Sequence, residues 1–276
     1  MNVGFIGTGS MGSILIESFL KSGALRPDEL IAANRTFSKA ERLAAAHPGL
    51  KAVRTNAEAA AASDILFVCV KPKDFKAVID EIRTATDPSR ILVSITSPVL
   101  IRHLEKQLPC KIAKVIPSIT NHVLSGATLA IYGSRMESRD IEMLENLLKK
   151  VSTPHVIPEP LTRVCSDLSS CGPAFLAYFI ERFVEAAVAL TGIAKEDADR
   201  LAAEMVRGTG LLLTEGGFTP ELLRQRVSVP GGITAEGLRM LALDLEGTFE
   251  RLIRTTHNKY NEELDKIESL FFNPQS

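Results

Sequence analysis

The 276-residue sequence predicts an α/β fold class, an N-terminal doubly wound parallel sheet followed by an all-α domain. Three observations carry this expectation. Short apolar runs alternate with helix-length, polar-faced segments up to about residue 158, which is how a βαβ domain is written. A glycine-rich turn follows the first of those runs. Beyond Pro158 and Pro160 the strand-like runs stop, and Ala, Leu and Glu dominate segments long enough for helices. The expected boundaries are therefore 1–158 for the sheet domain and 161–270 for the helical one, in keeping with a chain length that suits two domains.

Taken in order, the expected strands are 2–6, 30–34, 51–53, 65–70, 91–95, 112–116, 127–132 and 155–157, each a short run rich in Ile, Val, Leu, Phe or Ala. Segments 37–47, 74–84 and 138–151 between them are long enough for two or more helical turns, and a further helix runs from the glycine turn to about Lys21. Right-handed crossovers then give a doubly wound sheet. In the second domain, residues 173–191 are apolar almost all round the helical circle, so this helix must be buried on several sides. A second copy of the chain is the simplest cover, and a homodimer through the helical domain is expected. The alternative is a central helix inside a monomeric bundle. No internal repeat is present, and the tail 271–276 is expected to fray.

Composition narrows the function classes. Lys plus Arg number 32 against 33 Asp plus Glu, a net charge of −1, which removes the positive excess that nucleic acid or an anionic membrane would need. Hydrophobic residues at 45% and charged residues at 24% are those of a globular chain. Cys69, Cys110, Cys165 and Cys171 have neither disulfide-framework nor zinc-type spacing, and His47, His103, His155 and His257 share no ligand spacing, so no metal is expected. The longest apolar runs, 65–70 and 174–180, are far too short to span a bilayer, and glycines interrupt the N-terminal one that could mimic a leader. A cytoplasmic protein with reduced thiols is the expectation.

Gly7-Thr8-Gly9-Ser10-Met11-Gly12 follows the first strand directly and opens a helix. In a Rossmann-type dinucleotide fingerprint the first glycine makes the tight turn, the second lets backbone approach the pyrophosphate, and the third lets helix pack on strand. At the end of the second strand, twenty-two residues past Gly12, stands Asn34-Arg35-Thr36. An NAD enzyme usually places an acidic residue there for the ribose 2′-hydroxyl, whereas an arginine between small polar side chains suits a 2′-phosphate, with Lys39 as extra charge. NADP(H) is the expected cofactor and NAD(H) the alternative. The bland reading of Arg35 is a solvated surface charge. Val70-Lys71-Pro72 ends the fourth strand at the carboxyl edge of the sheet, where Lys71 faces the nucleotide or merely caps the strand.

These segments, with Asn56, Cys171-Gly172-Pro173-Ala174-Phe175 and Pro230-Gly231-Gly232-Ile233-Thr234, together resemble the pyrroline-5-carboxylate reductase family, over residues 2 to about 260. The resemblance implies a Rossmann domain followed by a dimerising helical domain, and reduction of a cyclic imine to proline with NAD(P)H. It implies a cofactor site of Gly7, Thr8, Gly9, Ser10, Met11, Gly12, Asn34, Arg35, Thr36, Asn56, Val70, Lys71 and Pro72. It places substrate against Gly231, Gly232, Thr234, Ser118 and Cys171, with Thr234 as the catalytic candidate and the partner's helices closing the site. The chemistry suits the residues available. Hydride addition to a C=N carbon needs a protonated nitrogen, a carboxylate anchor and a dry pocket. A glycine turn leading into a helix supplies that anchor through backbone N–H groups, and the Thr234 hydroxyl donates to the carboxylate or relays a proton to nitrogen. The bland reading of Thr234 is a helix N-cap.

Departures from the family pattern gather where substrate would sit. Ile116-Pro117-Ser118-Ile119-Thr120 stands in place of the usual Met-Pro-Asn-Thr-Pro, Ser169-Ser170-Cys171 in place of Ser-Gly-Ser, and Thr96-Ser97-Pro98 in place of Ala-Ala-Gly. Val229 replaces the usual serine before Pro-Gly-Gly, and Ile233 a small residue. The combination resembles a divergent branch found beside competence genes in spore-forming bacteria. A non-catalytic NADP-binding paralogue is accordingly the alternative function. A hydroxyacid dehydrogenase ranks last, because the lysine that such chemistry commonly takes from the central helix is missing between Lys150 and Lys195. Cys171 is expected to be an inert thiol, with no His or Lys beside it in sequence, and His122 an ordinary loop histidine.

Overall fold

Runs of apolar residues with no polar alternation read as strands buried on both faces, and in the computed structural model, which describes residues 1–272, they are. The strands are β1 (Val3–Ile6), β2 (Leu30–Ala33), β3 (Lys51–Val53), β4 (Ile65–Val68), β5 (Ile91–Ser94), β6 (Lys111–Ile116), β7 (Ala127–Tyr132) and β8 (Thr153–Val156). Every residue of β1, β2, β4, β5 and β6 is buried. The order is β3-β2-β1-β4-β5-β6-β7-β8, parallel except for the antiparallel pair β6–β7. All eight expected strands form, with ends shifted by a residue or two. The antiparallel pair was not in the pattern, and its cause is length: residues 117–126 hold only a 3-10 helix, Ile119–Val123, and a parallel return needs a crossover of a dozen residues or more.

The helices of this part are α1 (Ser10–Lys21), α2 (Phe37–Ala46), α3 (Asn56–Ala62), α4 (Phe75–Ile82), α5 (Ile101–Glu105), α6 (Ser138–Leu148) and α7 (Thr162–Leu168). Helix α3 is nearly all alanine after its first turn and carries no periodic signal. Its start is nonetheless written in a capping box: Thr55 Oγ1 accepts from the Glu58 amide at 3.1 Å, and a Glu58 carboxylate oxygen accepts from the Thr55 amide at 3.2 Å. The sheet separates two apolar clusters. One holds Ile6, Leu66, Val68, Ile79, Leu92, Leu104 and Ile112. The other holds Val3, Phe5, Phe19, Phe67, Val93 and Val115, with Phe5 and Phe67 stacked at 4.9 Å.

The remaining helices are α8 (Gly172–Thr191), α9 (Lys195–Thr214), α10 (Pro220–Val227), α11 (Ile233–Asp244) and α12 (Thr248–Phe272). The chain divides in space into one unit of residues 1–173 with 255–272 and another of 174–254. Relative to the expected 158/161 boundary, residues 159–173 with α7 and the end of α12 group with the sheet. Ile267 and Phe271 join the first apolar cluster, and the Phe271 and Phe272 rings lie 5.2 Å and 5.4 Å from the buried His103 ring. The expectation of a frayed tail is corrected at its start, since Phe271 is only 4% exposed. Residues 273–276 lie outside the described residues.

Beside this seam the sheet unit buries a lysine. Lys114 Nζ sits 2.7 Å from Glu159 Oε1 and donates to the Ser97 carbonyl at 3.0 Å, while Glu159 also accepts from the Ile101 amide. Burial pulls the Lys114 ammonium below its ordinary range, and Glu159 opposes that shift.

The unit of residues 174–254 is built differently. Its buried apolar side chains are Val184, Ala198 and Ala202, backed by Ile180, Val188 and Ile193. Leu176, Phe179, Phe183 and Leu190 stand exposed along one face of α8, and Leu201 and Met205 on α9. Among the described residues no helix is long and apolar enough to cross a membrane.

Candidate functional site

The three glycines of the first turn differ in what each permits. Gly7 has φ +95°, and a Cβ there would lie 2.7 Å from the Cys69 carbonyl oxygen, so this position needs glycine twice over. A Cβ on Gly12 would sit 2.1 Å from the Gly7 carbonyl oxygen, which is the close approach of α1 to β1. Gly9 faces open space. It occupies the N-cap of α1 with no side-chain cap and no acidic residue in the first turn, leaving the helix amides to an anion from outside. Ser10, Met11 and Gly12 form that first turn. Thr8, Gly9 and Ser10 line a hollow of about 480 Å³ with Ser13, Lys39 and Arg42.

Beside it a larger cleft of about 640 Å³ opens over the carboxyl ends of β1, β2 and β4. It gathers Gly7, Asn34, Arg35, Thr36, Asn56, Val70 and Lys71 from the expected cofactor residues. Pro72 starts the 3-10 turn Pro72–Asp74 immediately after them. Lys71 therefore faces the cleft, and it also stands at the N-cap of that turn. Asn34 holds the corner: its Nδ2 donates to Thr8 Oγ1 at 2.7 Å and its Oδ1 accepts from the Thr36 amide at 2.9 Å. Arg35 projects from this pinned corner, 89% exposed. Sequence reasoning missed Arg54, Lys73, Asp74 and Glu81, which complete the lining. Arg54 lies over the Phe37 ring at 4.4 Å, and Asn56 Nδ2 donates to Glu81 Oε2 at 2.5 Å. No local motif marks these residues, because Arg54 comes from the loop between β3 and α3, Lys73 and Asp74 from the turn before α4, and Glu81 from α4 itself. With Lys39, the cleft holds five cations against two carboxylates. The open Gly9, the uncapped helix and this charge fit a phosphorylated dinucleotide.

The expected substrate residues fall in both units. In the helical unit, Val229 to Gly232 is a turn closed by the Gly232 amide donating to the Val229 carbonyl at 2.9 Å, with Pro230 leading and Gly231 at φ +74°. That is the signature of a type II turn. Gly232 is the N-cap of α11 and has no side-chain cap, so Thr234 is the second helical residue and not the cap. The bend delivers free helix amides, the exposed Thr234, and Ile233 at 95% exposure.

In the sheet unit, Ser118 is buried. Its amide donates to Asn121 Oδ1 at 2.9 Å, its hydroxyl accepts from the Thr120 amide, and the same hydroxyl donates to the Ser169 carbonyl at 3.4 Å. Asn121 pins that loop further, accepting at its carbonyl from Ser18 Oγ and at Oδ1 from Thr128 Oγ1. Cys171 has a cation neighbour that sequence adjacency did not reveal. Arg163 Nη2, eight residues back on α7, lies 3.0 Å from Sγ and 2.8 Å from Asp167 Oδ1. Cys69 is a different case, and burial pushes its thiol well above the ordinary range. Among the described residues no group of three or more His, Cys, Asp or Glu side chains could hold a metal ion.

A glycine-loop sheet unit with a cationic nucleotide cleft, joined to a helical unit rich in exposed apolar side chains, defines a dinucleotide-dependent oxidoreductase of two parts. Residues 2–98 match a family model described as NADP oxidoreductase, coenzyme F420-dependent, and residues 159–263 match one described as pyrroline-5-carboxylate reductase dimerisation. The chain is 38% identical to ComE operon protein 4 of Bacillus subtilis (strain 168), over 98% of this chain and 99% of that one. It is 30% identical to the pyrroline-5-carboxylate reductase of Escherichia coli (strain K12), over 87% and 89% of the two chains. A solved pyrroline-5-carboxylate reductase from Coxiella burnetii superposes with a TM-score of 0.86 at 25% identity, covering 95% of this chain and 98% of that one. The chain belongs to the pyrroline-5-carboxylate reductase family, a family of NAD(P)H oxidoreductases acting on C=N bonds. The match to a ComE operon protein over nearly both full lengths agrees with the competence-associated branch, and NADP(H) is the cofactor that the cleft and the family model share.

Proposed function

We propose that this chain is an NADP(H)-dependent reductase of a small cyclic imine carboxylate, with 1-pyrroline-5-carboxylate to proline as the reaction shared with its reductase relatives. It works as a cytoplasmic homodimer through the helical unit. The observation that carries the reading is the bend at Pro230 to Thr234. An uncapped helix N-terminus beside a positive-φ glycine is a carboxylate anchor. Nothing in the helix itself uses those amides.

A bound reduced nicotinamide would supply the hydride that a C=N carbon accepts. The chain's own residues do the rest. Asn34, Arg35 and the first turn of α1 seat the dinucleotide. Gly232 and the first amides of α11 hold the substrate carboxylate, and Thr234 adds a hydroxyl donor at the same place, for the carboxylate or for the ring nitrogen. A protonated imine needs no strong fixed base, so the absence of an ionisable residue from the bend is consistent with the chemistry.

A second reading, a non-catalytic NADP-binding paralogue, is favoured by two observations: Ser118 keeps its hydroxyl within the fold, and the branched Val229 and Ile233 flank the bend. Purified protein assayed for NADPH oxidation with 1-pyrroline-5-carboxylate separates the two, with complementation of a proline-requiring bacterial strain as the cellular counterpart. Turnover at ordinary enzyme rates supports the reductase. Tight NADPH binding with background oxidation across a panel of small cyclic imines supports the paralogue.

A further inference from the structure

The corner that distinguishes NADPH from NADH carries an acid as well as a base. Where β2 ends, the position that usually offers a carboxylate to a ribose 2′-hydroxyl is Asn34, and both ends of that amide are used on Thr8 and Thr36. Across the same cleft, at the start of α4, stands Asp74. Its Oδ1 lies 3.7 Å from Arg35 Nη1, with 34% of its side chain exposed. Asp74 occupies the N-cap position of α4 yet makes no side-chain cap bond, so its carboxylate is not consumed by the helix. The other acid of the cleft, Glu81, accepts from Asn56.

We propose that Asp74 sets the balance between the two nicotinamide dinucleotides, supplying from β4–α4 the carboxylate missing at the end of β2. A 2′-phosphate drawn to Arg35 comes within a few ångströms of the Asp74 carboxylate and is repelled by it. A 2′-hydroxyl in the same place donates to that carboxylate instead. Arg35 alone would select strongly for the phosphorylated cofactor, and the pair moderates that selection so that NADH is also accepted. Of the other cations in the cleft, Lys39 adds to the attraction that Arg35 exerts on a 2′-phosphate, and Arg54, Lys71 and Lys73 attract both dinucleotides by their charge, so the carboxylate beside Arg35 is what holds the ratio back.

This rests on the cleft binding a nicotinamide dinucleotide, and the test keeps the two claims apart. Full-length wild type and Asp74→Asn are titrated by calorimetry with NADPH and with NADH, and Asp74→Ser serves as a second neutral side chain in case the carboxamide forms bonds of its own. The expected result is that both variants raise the ratio of NADPH to NADH affinity by about fivefold or more, and that the gain shrinks as salt rises from about 0.05 M to about 0.5 M. Wild type that binds and variants that leave the ratio within a factor of about two overturn the role of Asp74 while the cleft stands. Wild type that binds neither dinucleotide overturns both.

Discussion

The sheet unit closes an apolar cluster on each face of its strands, whereas the helical unit buries Val184, Ala198 and Ala202 and leaves Leu176, Phe179, Phe183 and Leu190 in the open. A helix apolar on every side that finds so little cover within its own unit is written for another chain. The nucleotide cleft thus belongs to the part that is complete alone, and the bend proposed to hold the substrate carboxylate to the part that is not. Cofactor binding and substrate turnover should therefore separate under mutation.

The harshest way to break this contrast is to charge α8. Phe179→Glu with Phe183→Glu is expected to convert a homodimer to monomers and lower turnover by at least about 100-fold, while NADPH affinity stays within about threefold of wild type. Light scattering reads the first and calorimetry the last. A dimer that survives both charges would show that the open face of α8 is not the interface.

The reverse test lies in the glycine turn. Gly12→Val forces a Cβ against the Gly7 carbonyl, backbone on backbone, where no side chain can yield. The expected loss is about 3 kcal/mol of sheet-unit stability and about 100-fold in NADPH affinity, with dimerisation kept. Retained affinity at normal stability would mean that α1 does not pack on β1 as described.

Next in size is an acid sensitivity confined to the sheet unit. Burial pushes the His103 imidazole down to about 4, and Arg102, Lys114 and Lys106 add to the shift while Glu159 opposes it. Nδ1 accepts from the Leu100 amide at 3.0 Å, and Nε2 lies 3.0 Å from Glu268 Oε1, which Arg102 also engages. The unfolded chain therefore binds a proton that the folded one refuses. The stability this contributes is full above about pH 6.5 and is lost as pH falls toward 4, up to about 3 kcal/mol. Urea unfolding followed by circular dichroism at several pH values should show that slope, and His103→Gln should flatten it.

How much of this was legible depends on whether a feature is local. Gly7 to Gly12, the strand runs and the apolar circle of 173–191 are local, and they led to the sheet, the helix entry and the open helical face. The antiparallel β6–β7 pair was legible only through the brevity of 117–126. Arg54 reaches the cleft from the β3–β4 crossover and Asp74 and Glu81 from the β4–β5 crossover, and no spacing ties them to Arg35 in the sequence. Arg163 meets Cys171 only because the chain past the end of α7 folds back, with the Cys171 amide donating to the Ser166 carbonyl at 2.8 Å. Thr234 shows the limit from the other side: the motif was visible, but only the backbone shows that Gly232, whose extended φ is open to any residue, takes the cap and leaves the threonine hydroxyl available.

The smallest effect is the one that reaches furthest into mechanism. Thr234→Val keeps the shape of the side chain, removes one hydroxyl and leaves the helix amides, so the anchor loses a donor without losing its site. If Thr234 donates to substrate, kcat/KM for the cyclic imine should fall about tenfold with NADPH binding unchanged. If it only packs, the variant should be indistinguishable from wild type. Val229→Ser sharpens the same point in the opposite direction. It places a hydroxyl at the head of the turn and shortens the side chain whose Cγ2 lies 2.7 Å from where a Cβ on Gly232 would stand. A carboxylate anchor that gains a donor there should gain about threefold in kcat/KM. A bend that holds no carboxylate should respond to neither change.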